Sequence, residues 1–324
     1  MNVLSLFDGM SCGQIALDEL GLNVENYYAS EIDKYAIQIC KKNYPSTKHL
    51  GDVAKWKEWD LDWESIDLIM GGSPCQGFSN AGKGLAFNDP RSRLFFVFVD
   101  ILNHIKKVNP DVIFLLENVS MKKEYLSVIS GYLKVEPIKI DSSLVSAQRR
   151  VRYYWTNMKE IKQPINQNVL LSTLLESGEV DRDKSYCLDA NYFKGTTVQQ
   201  YLNKCRRQIV WMIPEATKKG YVEVTEGDCI DLTFIKSKTR RGRLMLEKSN
   251  CLTASSQTYC KVTKDWFRKL TPIECERLQT VPDNYTEGVS NTQRYKMLGN
   301  GWTVAVIKHL FWEGLICQRN LEHS

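Results

Sequence analysis

The sequence predicts an open, mostly parallel α/β sheet wound on both faces, with a second and smaller domain. Three observations carry that expectation. Strand and helix signals alternate through the first half of the chain. Its most apolar run, Val112–Leu116, is continuous rather than alternating, the pattern of a strand buried on both faces. The rhythm stops after about Asn157 and returns near residue 266. Residues 1–159 and 266–324 are therefore expected to form the main domain, and residues 160–265 the smaller one.

Asn2–Phe7 is an apolar strand candidate, followed by a glycine-bearing turn and a helix from about Cys12 to Leu20. Gly21 is a natural helix stop. Tyr27–Glu31 reads as the second strand, and Asp33–Tyr44 as a helix ended by Pro45. Asp67–Met70 is a strand that gives way at Gly71-Gly72 to a long polar loop, and Ser92–Lys107 has apolar positions at helical spacing. Val112–Leu116 follows, then a helix over Leu126–Leu133 and a strand around Tyr153–Trp155. Thr271-Pro272-Ile273-Glu274 joins a capping residue, a first-turn proline and the glutamate of a capping box. A last helix runs from about Thr303 to Leu315, with Val304, Ile307, Leu310 and Phe311 on one face.

The 324 residues are 43% hydrophobic and 25% charged, an ordinary enzyme composition. No stretch approaches the apolar length of a membrane span, and no basic-then-apolar leader is present. No CxxC pair occurs among ten cysteines, and the four histidines are scattered, so no metal site is expected. Reduced thiols suit a cytoplasmic setting. The net charge of +5 is unevenly placed, with Lys236, Lys238, Arg240, Arg241 and Arg243 in one stretch, a pattern that suits a polyanion.

Chemistry concentrates at the predicted strand ends, where ligands bind in open α/β sheets. Ser73-Pro74-Cys75-Gln76-Gly77-Phe78-Ser79 presents a thiol at such a point, a candidate nucleophile in its thiolate form. Phe7-Asp8-Gly9-Met10-Ser11-Cys12-Gly13 joins the first strand to the first helix and offers unpaired N–H groups to an anion. Glu31 ends the second strand and suits ribose hydroxyls; Asp52 suits an adenine amino group. Together they favour a nucleoside bearing a carboxylate. Glu117-Asn118-Val119 places a carboxylate at the end of the most apolar strand, able to act as acid or hydrogen-bond partner. In Gln148-Arg149-Arg150-Val151-Arg152, period-two spacing puts Gln148, Arg150 and Arg152 on one face. Gly77–Lys83 imitates a phosphate loop, but Gly84 stands where that loop needs a hydroxyl for magnesium.

These motifs, with Gly299-Asn300-Gly301-Trp302-Thr303-Val304, occur in an order that resembles the cytosine-5 DNA methyltransferases. The resemblance covers about residues 1–158 and 266–313, and residues 160–265 correspond in position to a target recognition domain. It implies a Rossmann-like S-adenosylmethionine-dependent sheet and methyl transfer to carbon 5 of a cytosine flipped out of duplex DNA. By resemblance Cys75 is the nucleophile, Glu117 meets ring nitrogen 3, and Arg152 contacts the cytosine carbonyl. Arg150 and Gln148 organise Cys75 and a nearby phosphate. Phe7, Asp8, Gly9, Met10, Ser11, Glu31, Ile32, Asp52, Val53, Pro74, Leu94, Asn300 and Trp302 form the cofactor site. Gln76, Ser79 and Asn80, the basic stretch 236–243 and Thr253 face DNA. The first motif departs from the usual Phe-x-Gly-x-Gly at Ser11. The expected protein is a cytoplasmic monomer of bacterial or phage type, beside a cognate restriction endonuclease, with no metal and no membrane. The rival is a tRNA cytosine-5 methyltransferase of the same fold; Cys251-Leu252-Thr253, rather than Cys-Phe-Thr, favours DNA.

Overall fold

The computed structural model describes residues 1–74, 93–178, 180–211 and 267–317, with 213–214, 221–222, 228–231, 239, 244–246 and 259–261 between them. Seven strands form the central sheet: β1 (Asn2–Leu6), β2 (Asn26–Ser30), β3 (Lys48–His49), β4 (Ile66–Gly71), β5 (Ile113–Val119), β6 (Ile138–Asp141) and β7 (Val151–Thr156). Their order is β3-β2-β1-β4-β5-β7-β6. The first five are parallel, and β7 runs antiparallel between β5 and β6. Strand order reverses direction between β1 and β4, which opens a crevice at their carboxyl ends.

The helices are α1 (Cys12–Glu19), α2 (Lys34–Asn43), α3 (Arg93–Val108), α4 (Lys123–Leu133), α5 (Val198–Lys204), α6 (Pro272–Leu278), α7 (Asn291–Asn300) and α8 (Val304–Phe311). Period-two alternation divides the strands between two apolar layers. Val3, Leu68, Met70 and Leu115 pack with α1, α7 and α8, while Leu4, Leu6, Ile69, Phe114 and Leu116 pack with α3 and α4. Each such burial contributes roughly 1.5–3 kcal/mol. The capping box at Thr271 and Glu274 forms as the sequence indicates, and Asp33 caps α2 through the N–H groups of Tyr35 and Ala36. β6, α5 and α7 are among the elements that had no clear sequence signal. β6 is short, and α7 is polar enough to hide its helical period.

The chain beyond residue 160 also contributes to this body. Leu171, Leu188, Tyr192 and Val210 are buried in the same apolar cluster as α1 and α8. Ile209–Trp211 then pairs antiparallel with Phe267–Lys269, which brings the two ends of the intervening chain together. The chain past the expected boundary at 160 is thus packed in part on the main core. Gly299 makes the packing possible, since a Cβ there would lie 2.3 Å from the backbone carbon of Asp189. Gly299→Ala should lower stability by about 1–3 kcal/mol, read as an earlier denaturant midpoint.

Candidate active site

The crevice holds a cavity of about 530 Å³ at the carboxyl ends of β1, β2, β4 and β5. β1 delivers Phe7, Asp8 and Gly9; β2 delivers Glu31 and Ile32; β4 delivers Gly72, Ser73 and Pro74; β5 delivers Glu117. Asp52, Val53 and Leu94 line it as well, and Asn300 and Trp302 arrive from the far end of the chain. Met10 and Ser11, expected among these residues, are instead buried beneath the wall. Cys75, Gln76, Ser79, Asn80, Lys236, Lys238, Arg240, Arg241, Arg243 and Thr253 lie outside the described residues.

The turn after β1 alternates left-handed residues, with φ of 57° at Phe7, 61° at Gly9 and 65° at Ser11. A side chain at Ser11 is costly in that conformation. Its hydroxyl donates to Asp8 Oδ2 and also meets Cys40 Sγ at 2.9 Å, contacts that glycine could not supply. This accounts for the departure from the usual glycine. Tyr27 donates to the other Asp8 oxygen at 2.7 Å. Burial nevertheless dominates and pushes the Asp8 carboxyl up to about 6.

Glu31 is held by three backbone donors. Gly9 N–H bonds Oε2 at 2.8 Å, while Ile32 and Asp33 N–H groups bond Oε1 at 2.7 and 2.8 Å. A fixed carboxylate of this kind is a pre-organised acceptor. Asp52 is oriented in the same manner by Ala54 N–H at 2.9 Å. Beside Glu31, Lys296 of α7 bridges to Asp33 at 2.7 Å, and both residues line the cavity. Ile32 is 74% exposed, an apolar side chain left bare at the cavity edge.

At the other end, sheet register brings Glu117 and Arg152 together. Glu117 pairs with Tyr154 and Val119 with Arg152, so Arg152 is the diagonal neighbour of Glu117 on one face. Arg152 Nε lies 2.9 Å from Glu117 Oε1. Trp302 donates its indole N–H to Glu117 Oε2 at 3.2 Å.

Arg150 and Gln148 sit differently from what their spacing suggests. The strand starts only at Val151. Arg150 does line the cavity, but its guanidinium donates to the carbonyls of Leu188, Gly299 and Gly301, at 3.0, 3.3 and 2.8 Å. Gln148 is fully buried behind the wall, away from the cavity. Its amide donates to Leu278 O and Gln279 Oε1, and its oxygen accepts from Leu188 N–H. It therefore supports the wall rather than facing a ligand. Gln279, which no sequence signal marked, completes this network by donating to Leu298 O and accepting from Thr303. Cys187, Leu188, Asp189 and Ala190 also line the cavity without any prior signal.

A profile of C-5 cytosine-specific DNA methylases matches residues 1–313. The chain belongs to that family. The methylase is 28% identical to Type II methyltransferase M.NgoBI of Neisseria gonorrhoeae, over 94% of this chain and 90% of that protein. It is 26% identical to M.HpaII of Haemophilus parainfluenzae, over 94% and 86%. In fold it is similar to the Entamoeba histolytica methyltransferase EhMeth, with a TM-score of 0.65 at 17% identity and 97% coverage of both chains. The Dnmt2 methyltransferase of S. pombe gives a TM-score of 0.61 at 16% identity, over 98% of this chain and 99% of that one. Among the described residues, no helix is long and apolar enough to cross a membrane, and no cluster of His, Cys, Asp or Glu could hold a metal ion.

Asp8 gives the methylase a pH signature. Its folded pKa of about 6 exceeds the ordinary 3.8, so the fold prefers the neutral acid. Stability from this group is full below 3.8, falls as pH rises to about 6 and is constant above. Asp8→Asn should therefore be more stable than wild type at pH 8, by up to about 3 kcal/mol, and gain much less at pH 4 in denaturant titrations.

Proposed function

We propose that this cytosine-5 DNA methyltransferase binds S-adenosylmethionine between Phe7, Glu31, Asp52 and Trp302, and receives a flipped cytosine at Glu117 and Arg152. The observation that carries this reading is the division of one cavity into two chemical ends. Fixed carboxylates stand at the β2 end, and an arginine–carboxylate pair stands at the β5 end. The volume is within the range of about 300–1,000 Å³ of small-molecule sites. The donor set suits the cofactor: Glu31 and Asp52 are acceptors for ribose hydroxyls and an adenine amino group, and Ile32 and Phe7 offer apolar surface to a purine. When bound, S-adenosylmethionine supplies an electrophilic methyl group.

The protein's own residues account for the rest. Carbon 5 of cytosine is a poor nucleophile, so Cys75 adds as thiolate to carbon 6 and the ring electrons move toward carbon 5. Glu117 donates a proton to ring nitrogen 3 and so neutralises the charge gathering there, with Arg152 on the carbonyl side of the ring. Once carbon 5 carries the methyl group, a base removes its proton and the electron pair expels Cys75. A stacked base cannot reach this cavity, so the cytosine leaves the duplex at a cost of a few kcal/mol. The basic stretch 236–243 is assigned to phosphate contacts that offset part of it. The Type II relatives support a role beside a cognate restriction endonuclease.

Duplex DNA with 5-fluorocytosine at the target tests the nucleophile, because fluorine blocks the final elimination. A stable adduct should form with wild type and vanish in Cys75→Ser; an adduct persisting in that variant would sink the assignment. Glu117→Gln should slow methyl transfer by about 100-fold or more while S-adenosylmethionine affinity stays within a few-fold.

A further inference from the structure

Glu117 has two oxygens, and partners of different origin hold them. Oε1 faces Arg152, whose distance is set by the β5–β7 register and so by the sheet itself. Oε2 faces the indole N–H of Trp302, which stands 185 positions further along the chain, in the turn between α7 and α8. That turn is anchored separately, by Arg150 on the carbonyls of Gly299 and Gly301. The Trp302 ring also forms a wall of the cavity and lies against Gly13 of α1. One side chain thus contacts Glu117 and forms part of the cavity wall beside α1.

Gly72 shows how closely the contact is fitted. A Cβ at that position would lie 2.9 Å from the indole nitrogen and 3.0 Å from Glu117 Oε2. A larger residue there would push donor and acceptor apart. Space filling alone does not require a nitrogen, since phenylalanine presents a similar apolar face. The indole N–H adds what phenylalanine cannot, a directed hydrogen bond to a mostly buried carboxyl oxygen.

We propose that Trp302 is a positioning residue for methyl transfer: its N–H fixes Glu117 Oε2 while its ring forms part of the cavity wall. This rests on the assignment of Glu117 as the group that meets cytosine nitrogen 3. The bond leaves Glu117 one preferred rotation about its carboxyl group. Without it only Arg152 constrains that rotation, and the productive orientation becomes one of several.

Trp302→Phe keeps the ring and removes the donor. Single-turnover methyl transfer at saturating S-adenosylmethionine should fall about tenfold, with cofactor Kd by calorimetry changed less than about threefold. A wall residue alone would give the reverse split, a weaker Kd with an unchanged rate. Gly72→Ala keeps both partners but forces them apart, and should slow the same step. In a Glu117→Gln background the Trp302→Phe loss should shrink to less than about threefold, because the two residues act as a unit. A Trp302→Phe rate within twofold of wild type, or a full tenfold loss persisting beside Glu117→Gln, overturns the proposal. If Glu117→Gln is slow and Trp302→Phe is not, only the link falls; if Glu117→Gln runs at the wild-type rate, the Glu117 assignment falls and takes the link with it.

Discussion

The buried guanidinium of Arg150 is the interaction on which the site depends. Among the described residues, three carbonyl oxygens and Cys187 Sγ accept from it, and no carboxylate does. Two of those carbonyls, of Gly299 and Gly301, belong to the carboxyl end of α7, the negative end of that helix dipole. A buried cation is costly unless its hydrogen bonds are satisfied, and here the helix end and the Leu188 carbonyl satisfy them together. The same contact joins three distant pieces of chain: the start of β7, the segment at 187–190 and the turn that carries Trp302.

The network behind the wall has the same logic with neutral groups. Gln148, Gln279, Thr303 and Ser142 are all buried and bond one another or nearby backbone. A fully satisfied network in a low-dielectric interior is rigid, because each alternative arrangement strands a donor or acceptor. Rigidity in the wall suits chemistry in which a carboxylate and an arginine must meet one small ring. The cavity reflects this division of labour. Its first-strand turn is shaped by left-handed backbone at Phe7, Gly9 and Ser11, whereas its catalytic end is shaped by sheet register and by side chains packed from the far end of the chain.

Much of the fold was legible in the sequence. The order of βα units, the cap at Thr271 and the amphipathic last helix each rest on local chemistry that a short window contains. Positions at strand ends were legible for the same reason, and Glu31, Asp52, Pro74 and Glu117 line one cavity. Gln148 was misplaced because period-two spacing assumes a strand, and the strand starts only at Val151. Gln279 and residues 187–190 carried no signal, since what distinguishes them is the partner brought to them by folding. The boundary at 160 followed composition, which does not register that Leu171 and Tyr192 pack on the core.

By itself the sequence determined the class of sheet, the ends of strands where polar groups gather, and the family. Those properties depend on periodicity, on turn residues and on residue types in fixed order, all of which survive in one dimension. Tertiary structure alone decided that Arg150 would be satisfied by a helix end, that Ser11 would offset its backbone strain through Asp8, and that Trp302 would reach Glu117. Each of these joins residues whose proximity is set by long-range packing or by an unusual backbone angle, which residue order alone does not specify.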